Sequence, residues 1–299
     1  MLRGWETTPF SNRGAMSDSN PSEAERRRRV WRAKRKQKSI AVSLLSTLAF
    51  AALVWFGLLA TPGWERVQGF FFDWDVAVAA FPRVFDGLLL NLRVLVAAAI
   101  LVLVFGLLLA IFRTLKNPVF FPLRVLSQGY VDLFRGLPLI IVLYLVGFGI
   151  PGLRLEFLGR IPSEVLGIIA LTLTYSAYVS EVFRAGIEAV HPSQRMAARS
   201  LGLSYPKSMR LVILPQAIRK VVPPLMNDFV ALQKDVGLIS VLGAIDAVRG
   251  AQIEVAKFAN FTPYVVAGLL FVLLAIPTVR LADRIQRKYS EREQAGNAL

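Results

Sequence analysis

Residues 221–245, VVPPLMNDFVALQKDVGLISVLGAI, decide how many times this chain crosses a membrane. A helical span needs about 20 residues, and the stretch is long enough. It also carries Asp228, Lys234 and Asp235, which are expensive in hydrocarbon. Hydropathy alone leaves it undecided, and the flanks settle it. The segment before it, 184–220, and the tail after it, 280–299, are both basic. Lys and Arg accumulate in segments on the cytoplasmic side of a membrane. A chain that begins and ends on one side must cross an even number of times between. Residues 261–279 form a clear apolar crossing, so 221–245 is expected to hold the other.

Working outward, 40–60 is apolar, softened only by Ser43, Ser46 and Thr47. Nine Lys/Arg precede it in the thirteen positions 26–38, which marks that side as cytoplasmic. A secretory signal is the competing reading, but its apolar core would be ~7–15 residues. Nothing downstream resembles a cleavage site followed by a soluble domain, so the run is read as a retained span. Residues 1–39 are polar without helical periodicity, and Met16 is an alternative start after a featureless 1–15. Residues 62–87 mix Trp64, Phe70, Phe71, Phe72, Trp74 and Phe81 with acids, which suits the outer interface. A second span is expected over 88–112, with Arg93 snorkelling near its outer end. A basic loop and amphipathic lead-in follow over 113–132. The third span is expected over 131–150, with Pro138 as its kink or start, and the fourth over 164–184.

Counting cations tests this arrangement. After the first span the inner segments hold fifteen Lys/Arg and the outer segments six, the latter being Arg66, Arg83, Arg154, Arg160, Arg249 and Lys257. Lys116 is among the inner ones. Both termini therefore fall inside, and the fold class is all-α, a polytopic bundle of about six transmembrane helices. A helix satisfies its own backbone in lipid.

Composition narrows the function. Of 299 residues, 55% are hydrophobic and 18% charged, with a formal net charge of +15. Soluble domains carry roughly a quarter charged residues, and here the apolar ones gather in span-length runs. A soluble enzyme, a disordered tail and a simple nucleic-acid binder are excluded. Zero cysteines remove disulfides and thiolate chemistry. His191, the single histidine, makes a catalytic triad or a histidine-rich metal site a poor reading. No cofactor is expected.

The longest inner loop, 191–217, reads HPSQRMAARSLGLSYPKSMRLVILPQA. Ser193 is the expected N-cap of a helix of good formers, and Gly202 suits the left-handed position that ends it. Ser204 is placed to cap a second short helix, and Pro215 marks the return to the membrane. A bland interfacial loop explains the charges but not the glycine between two capped helices. A DNA-reading helix–turn–helix is excluded by tethering at both ends. A dock for a cytoplasmic partner fits, with basic residues around an apolar centre.

This loop resembles the EAA loop of ABC-importer permeases, E-A-A-x3-G-x9-I-x-L-P. Ala197, Ala198, Gly202 and Val212-Ile213-Leu214-Pro215 stand at matching spacing, with Met196 where the family usually has Glu and Val212 where it has Ile. Residues 130–138, YVDLFRGLP, are similar to the "YxExFRGxP" stretch of the polar amino-acid group. Residues 177–187, AYVSEVFRAGI, resemble its "AYxxExxRxGI", and 223–227 with 232–235 resemble its "PPLxN…LxKD". The resemblance covers about 84–285. It implies a layout of basic tail (1–39), added span (40–61), outer interfacial segment (62–83), five-helix permease domain (84–285) and cytoplasmic tail (286–299). It also implies a bacterial cytoplasmic membrane, two ATPase subunits, a second permease subunit (itself or a homologue) and an extracytoplasmic solute-binding protein. Polar amino acids are the implied substrate, membrane lipid is the surroundings, and nucleic acid has no part.

The chain contains no Gly-Lys dipeptide, so it lacks the phosphate-cradling loop, and ATP hydrolysis must come from a separate subunit. Coupling to that subunit is expected through Ser193, Met196, Ala197, Ala198, Gly202, Leu203, Lys207 and Pro215. Ionisable groups within spans are default candidates for the substrate pathway. Asp228 with Asn227 lies about nine residues beyond Arg219, ~14 Å along a helix and near mid-membrane. Lys234 and Asp235 follow two turns later, either on the pathway or at the outer interface. Glu181 is a further candidate, although its spacing from Arg184 suits an ion pair on one helix face. Asp132 and Arg135 share that spacing. Asp246 is taken as a carboxylate off the pathway. An ion-coupled secondary transporter is the alternative, and it would have no use for the docking loop. A membrane-embedded enzyme lacks any nucleophile–base or metal set.

Overall fold

The computed structural model describes residues 23–115, 117–155 and 161–297. Met16, Lys116 and Arg160 lie outside the described residues. Those that are described form helices and turns without a strand. Four helices are long and apolar enough to cross a membrane, or up to six if each bent pair counts as one span. The all-helical, polytopic expectation holds. The chain divides into two compact units, 1–66 and 67–299.

In the first unit, α1 (Glu23–Val54) continues into a wider turn over Trp55–Leu59. The basic lead-in, expected to be irregular, is helical from Glu23. Arg, Lys, Ala, Gln and Glu are all good helix formers, and an established apolar helix extends into them without a new nucleation event. The hydroxyls of Ser46 and Thr47 donate back to the Ser43 carbonyl at 2.9 and 2.8 Å. Two of the three polar residues that soften the span are thus satisfied within it.

α2 (Pro62–Phe71) carries the chain into the second unit. There Asp73 caps α3 (Trp74–Thr114), its carboxylate accepting from the Asp75 and Val76 amides at 3.0 and 3.1 Å. α3 has 41 residues, about 60 Å, so the expected span 88–112 is its C-terminal part. A three-residue turn leads into α4 (Phe121–Gly136), and α5 (Leu139–Tyr144) follows. The expected third span is not one straight helix, because the segments before and after Gly136 are bent by 108°. Pro138 drives the preceding residue away from helical geometry, and Leu137 is extended with ψ 132°. Pro138 is thus the start of a helix and not a kink within one.

α6 (Ile150–Gly152), α7 (Ser163–Glu188), α8 (Pro192–Ser200) and α9 (Tyr205–Ser208) come next. α10 (Leu214–Asp235) holds most of the deciding stretch. It tightens over Val236–Leu242 and ends at Gly243, with φ +87°, before α11 (Ala247–Phe258) and α12 (Thr262–Asn297). A bend of 51° separates α11 from the helix before it, so the crossing expected over 221–245 is broken near its far end. The main core lies where α3, α5, α7 and α10 meet, around Val94, Leu143, Leu171, Val236 and Ile239.

A buried polar clasp holds the α11 junction against α3. Asn91 and Asp246 are fully buried. The Asn91 amide donates to Asp246 Oδ2 at 3.0 Å and to the Val236 carbonyl at 3.2 Å, while its oxygen accepts from the Ala247 amide at 3.0 Å. Asp246 also caps α11 through the Arg249 amide at 2.9 Å. Gly87 makes the approach feasible, since a Cβ there would sit 2.3 Å from the Asp246 carbonyl carbon. Asp246 is therefore an anchor of the fold and unsuitable as an inert reference carboxylate. Asn91→Leu is expected to destabilise the bundle by about 1–3 kcal/mol, the usual penalty for stranding buried polar partners. Thermal unfolding of the purified chain in detergent checks this, and an unchanged midpoint would contradict it.

Candidate transport pathway and docking loop

The loop is built as a helix, a left-handed stop and a second short helix. His191 caps α8, not Ser193 as expected: Pro192 takes the first helical position, and the Ser193 amide donates to His191 Nδ1 at 3.2 Å. The Ser193 hydroxyl lies 2.7 Å from the same nitrogen. Pro is preferred just inside a helix start, and its presence moves the cap one residue upstream of it. Gly202 has φ +74°. Its amide donates to the Arg199 carbonyl at 2.9 Å and the Leu203 amide reaches back to Ala198 at 3.1 Å, the pair of bonds that defines a Schellman stop. Ser204 occupies the N-cap position of α9 without a side-chain bond, while the Ser208 hydroxyl donates to the Leu203 carbonyl at 3.3 Å.

One face of this loop is tied down. Ala198 is buried, and Val190, Ile213 and Ala217 form a small core with Ile187 and Met209 packed on it. Arg195 donates to the Ile187 carbonyl at 2.8 Å. The other face is free. Met196 is 61% exposed, Leu201 80% and Tyr205 66%. Ser193, Ala197, Gly202, Lys207 and Pro215 are also exposed, and Leu203 is half-buried. Tyr205 was not singled out in the sequence; its place directly after the capping Ser204 is the signal that would have found it.

A second feature lies between α3, α7 and α10. A cavity of about 260 Å³ is lined by Val102, Tyr175, Val179, Met226, Asp228 and Phe229 among others. Such a volume sits just below the ~300–1,000 Å³ usual for ligand pockets. Among the described residues Asp228 is the only carboxylate in the lining, and its Oδ2 is buried without a hydrogen-bond partner among them. Asp235 does not line the cavity but accepts from the Tyr175 hydroxyl at 2.7 Å. Asn227 and Lys234 are exposed on other faces of α10. Of the pathway residues expected from sequence, the cavity therefore takes only Asp228, and Tyr175 joins it. Tyr175 lies within an apolar helix and stands 60 residues from Asp235, so spacing gave no sign of that bond.

Glu181 does not line this cavity and lies at the end of the bundle that carries α8. Its carboxylate accepts from Arg113 of α3 at 2.9 Å and from Arg184 on its own helix, with Arg135 of α4 at 3.8 Å. Arg184 also reaches Glu188 at 2.6 Å. Gln128 accepts from Arg113 at 2.9 Å and donates to Asp132 at 2.8 Å, so Asp132 is bound to Gln128, and Arg135 turns to Glu181. Tyr130 fastens the same helix to α7 by donating to the Leu173 carbonyl at 2.8 Å. Three helices are thus joined through one carboxylate. The side chain of Arg113 is only 6% exposed, which strengthens its pairing over that of a surface ion pair.

A multi-helix membrane bundle with a small cavity between α3, α7 and α10 and an exposed helical loop is the architecture of a solute permease. The chain belongs to the family described as "Binding-protein-dependent transport system inner membrane component", which matches residues 103–291. It is a multi-pass inner-membrane protein. It is 33% identical over 218 residues to the arginine transport system permease protein ArtQ of Bacillus subtilis (strain 168), covering 72% of this chain and 96% of that one. The glutamate/aspartate import permease protein GltK of Escherichia coli O6:H1 (strain CFT073) is 34% identical over 209 residues, 66% of this chain and 92% of that one. Among solved structures, an amino acid ABC transporter crystallised with histidines matches with a TM-score of 0.66 and 31% identity, over 72% of this chain and 98% of that chain.

Proposed function

We propose that this chain is the transmembrane subunit of an ATP-driven importer of polar amino acids, working by alternating access. The observation that carries this is the α8–α9 loop: pinned beneath by Ala198, stopped by Gly202, and presenting Met196, Leu201 and Tyr205 to solvent. Apolar side chains held outward on a rigid turn are suited to entering a groove on a partner, with Arg199 and Lys207 at the rim. In this reading the partner is a separate ATPase subunit, and the chain itself is no enzyme. A second permease subunit and an extracytoplasmic binding protein complete the assembly, with both termini of this chain on the cytoplasmic side. Met196, standing where the EAA pattern has Glu, makes this contact apolar.

The cavity supplies the substrate argument. An amino acid carries an ammonium group, and an unpartnered buried carboxylate stabilises it at close range. The ion-coupled alternative has no observation in its favour. Reconstitution of the chain with its genomic-neighbour ATPase and binding protein, followed by uptake of a labelled amino-acid panel, tests the reading. ATP-dependent accumulation of at least one polar amino acid is the expected result. Uptake driven by an ion gradient without ATP would overturn it.

A further inference from the structure

Beside the Glu181 hub, α3, α4 and α7 enclose an open cleft of about 740 Å³ that the transport reading does not use. Its walls include Arg113, Arg124, Gln128, Gly129, Arg184 and Glu188, three cations to one carboxylate. Arg113 and Arg184 are oriented from behind by Glu181, so their guanidinium groups are already ordered. Arg124 differs from them. It donates to the Leu115 carbonyl at 2.9 Å, lies over the Phe121 ring at 5.4 Å, and pairs with no carboxylate among the described residues.

The rim decides what kind of anion fits. Val125 lines the cleft, and Phe121, Val125 and Leu126 are exposed on the same stretch of α4. A free phosphate would gain nothing from that apolar edge. A phosphodiester bearing acyl chains would place its charge among the arginines and lay its chains along Phe121, Val125 and Leu126. Guanidinium groups match phosphate oxygens in geometry, and basic pockets between membrane helices hold anionic headgroups. We infer that this cleft binds the headgroup of an anionic phospholipid from the leaflet on the side of the α8–α9 loop.

Gly129 provides a clean test, because a Cβ added there meets no atom within 4 Å. Gly129→Leu therefore projects a bulky side chain at the cleft from an unobstructed Cβ, and Arg124→Gln removes the cation that lacks a carboxylate. The full-length chain with its co-purifying subunits is exchanged into nanodiscs of phosphatidylcholine with or without phosphatidylglycerol. Retained lipid is then counted by native mass spectrometry. Wild type is expected to keep phosphatidylglycerol selectively, and each variant to bind it roughly tenfold more weakly, the loss of one charge-assisted contact or of the space for it. Excess glycerol 3-phosphate should leave the retained lipid in place. Displacement by glycerol 3-phosphate would assign the cleft to a soluble phosphate and overturn the lipid assignment. Equal retention by wild type and both variants, or a co-purifying subunit cross-linked at position 129, would overturn it as well. Should Arg124→Gln fail to fold, Gly129→Leu decides the matter alone.

Discussion

Gly202→Val is expected to reduce ATP-driven uptake by roughly tenfold or more while leaving membrane insertion unchanged. Gly202 sits at φ +74°, where an L residue costs about 1–2 kcal/mol and a β-branched one more. There is open space around a Cβ at this position, so the penalty is one of backbone geometry and not of collision within the chain. Valine would relieve the strain by undoing the Schellman bonds to Ala198 and Arg199, and Leu201 and Tyr205 would lose their fixed presentation. Gly202→Asn is the informative companion. Asparagine tolerates the left-handed region, so it should retain much more transport than valine. Uptake is measured in membrane vesicles with the chain quantified by immunoblot. Normal transport by the valine variant would remove the docking argument.

Asp228→Ala is expected to lower substrate-stimulated transport by ~10–100-fold, the range for losing a charge-assisted hydrogen bond of about 1.5–3 kcal/mol. Asp228 supplies the only carboxylate that the described residues bring to the α3–α7–α10 cavity. Asp228→Asn preserves shape and removes charge, so an equal loss in both variants would attribute the effect to charge. Asp283→Ala, an exposed carboxylate of α12 that does not line the cavity, serves as reference. Initial rates across substrate concentrations separate a raised KM from lost turnover. Wild-type rates in both Asp228 variants would discard the cavity as the substrate route.

Some of the candidate site is legible in the sequence. Gly202 was marked as a helix stop by its neighbours alone, since a left-handed residue is demanded by the last turn of its own helix. The pairing of Glu181 with Arg184 followed from helical spacing. The same spacing misled at Asp132 and Arg135, because each found a partner on another side chain: Gln128 one turn earlier for Asp132, and Glu181 of α7 for Arg135. Ser193 lost the cap to His191 because Pro192 competed for the first helical position.

What the sequence by itself determined is the set of local, one-dimensional properties: which runs are apolar enough to cross, where the cations gather along the chain, and where a backbone must turn left-handed. These depend on the solvent each residue meets and on its immediate neighbours. Only the tertiary structure decided that Asp228 faces a cavity while Asn227 and Lys234 do not, and that Asp246 belongs to a clasp. It also decided that Glu181 gathers arginines from three helices. Those outcomes rest on contacts between residues 155 apart, as in Asn91 and Asp246, or 68 apart, as in Arg113 and Glu181. A helix has several faces of similar composition here, and what packs against each is settled by the other helices and not by its own order of residues.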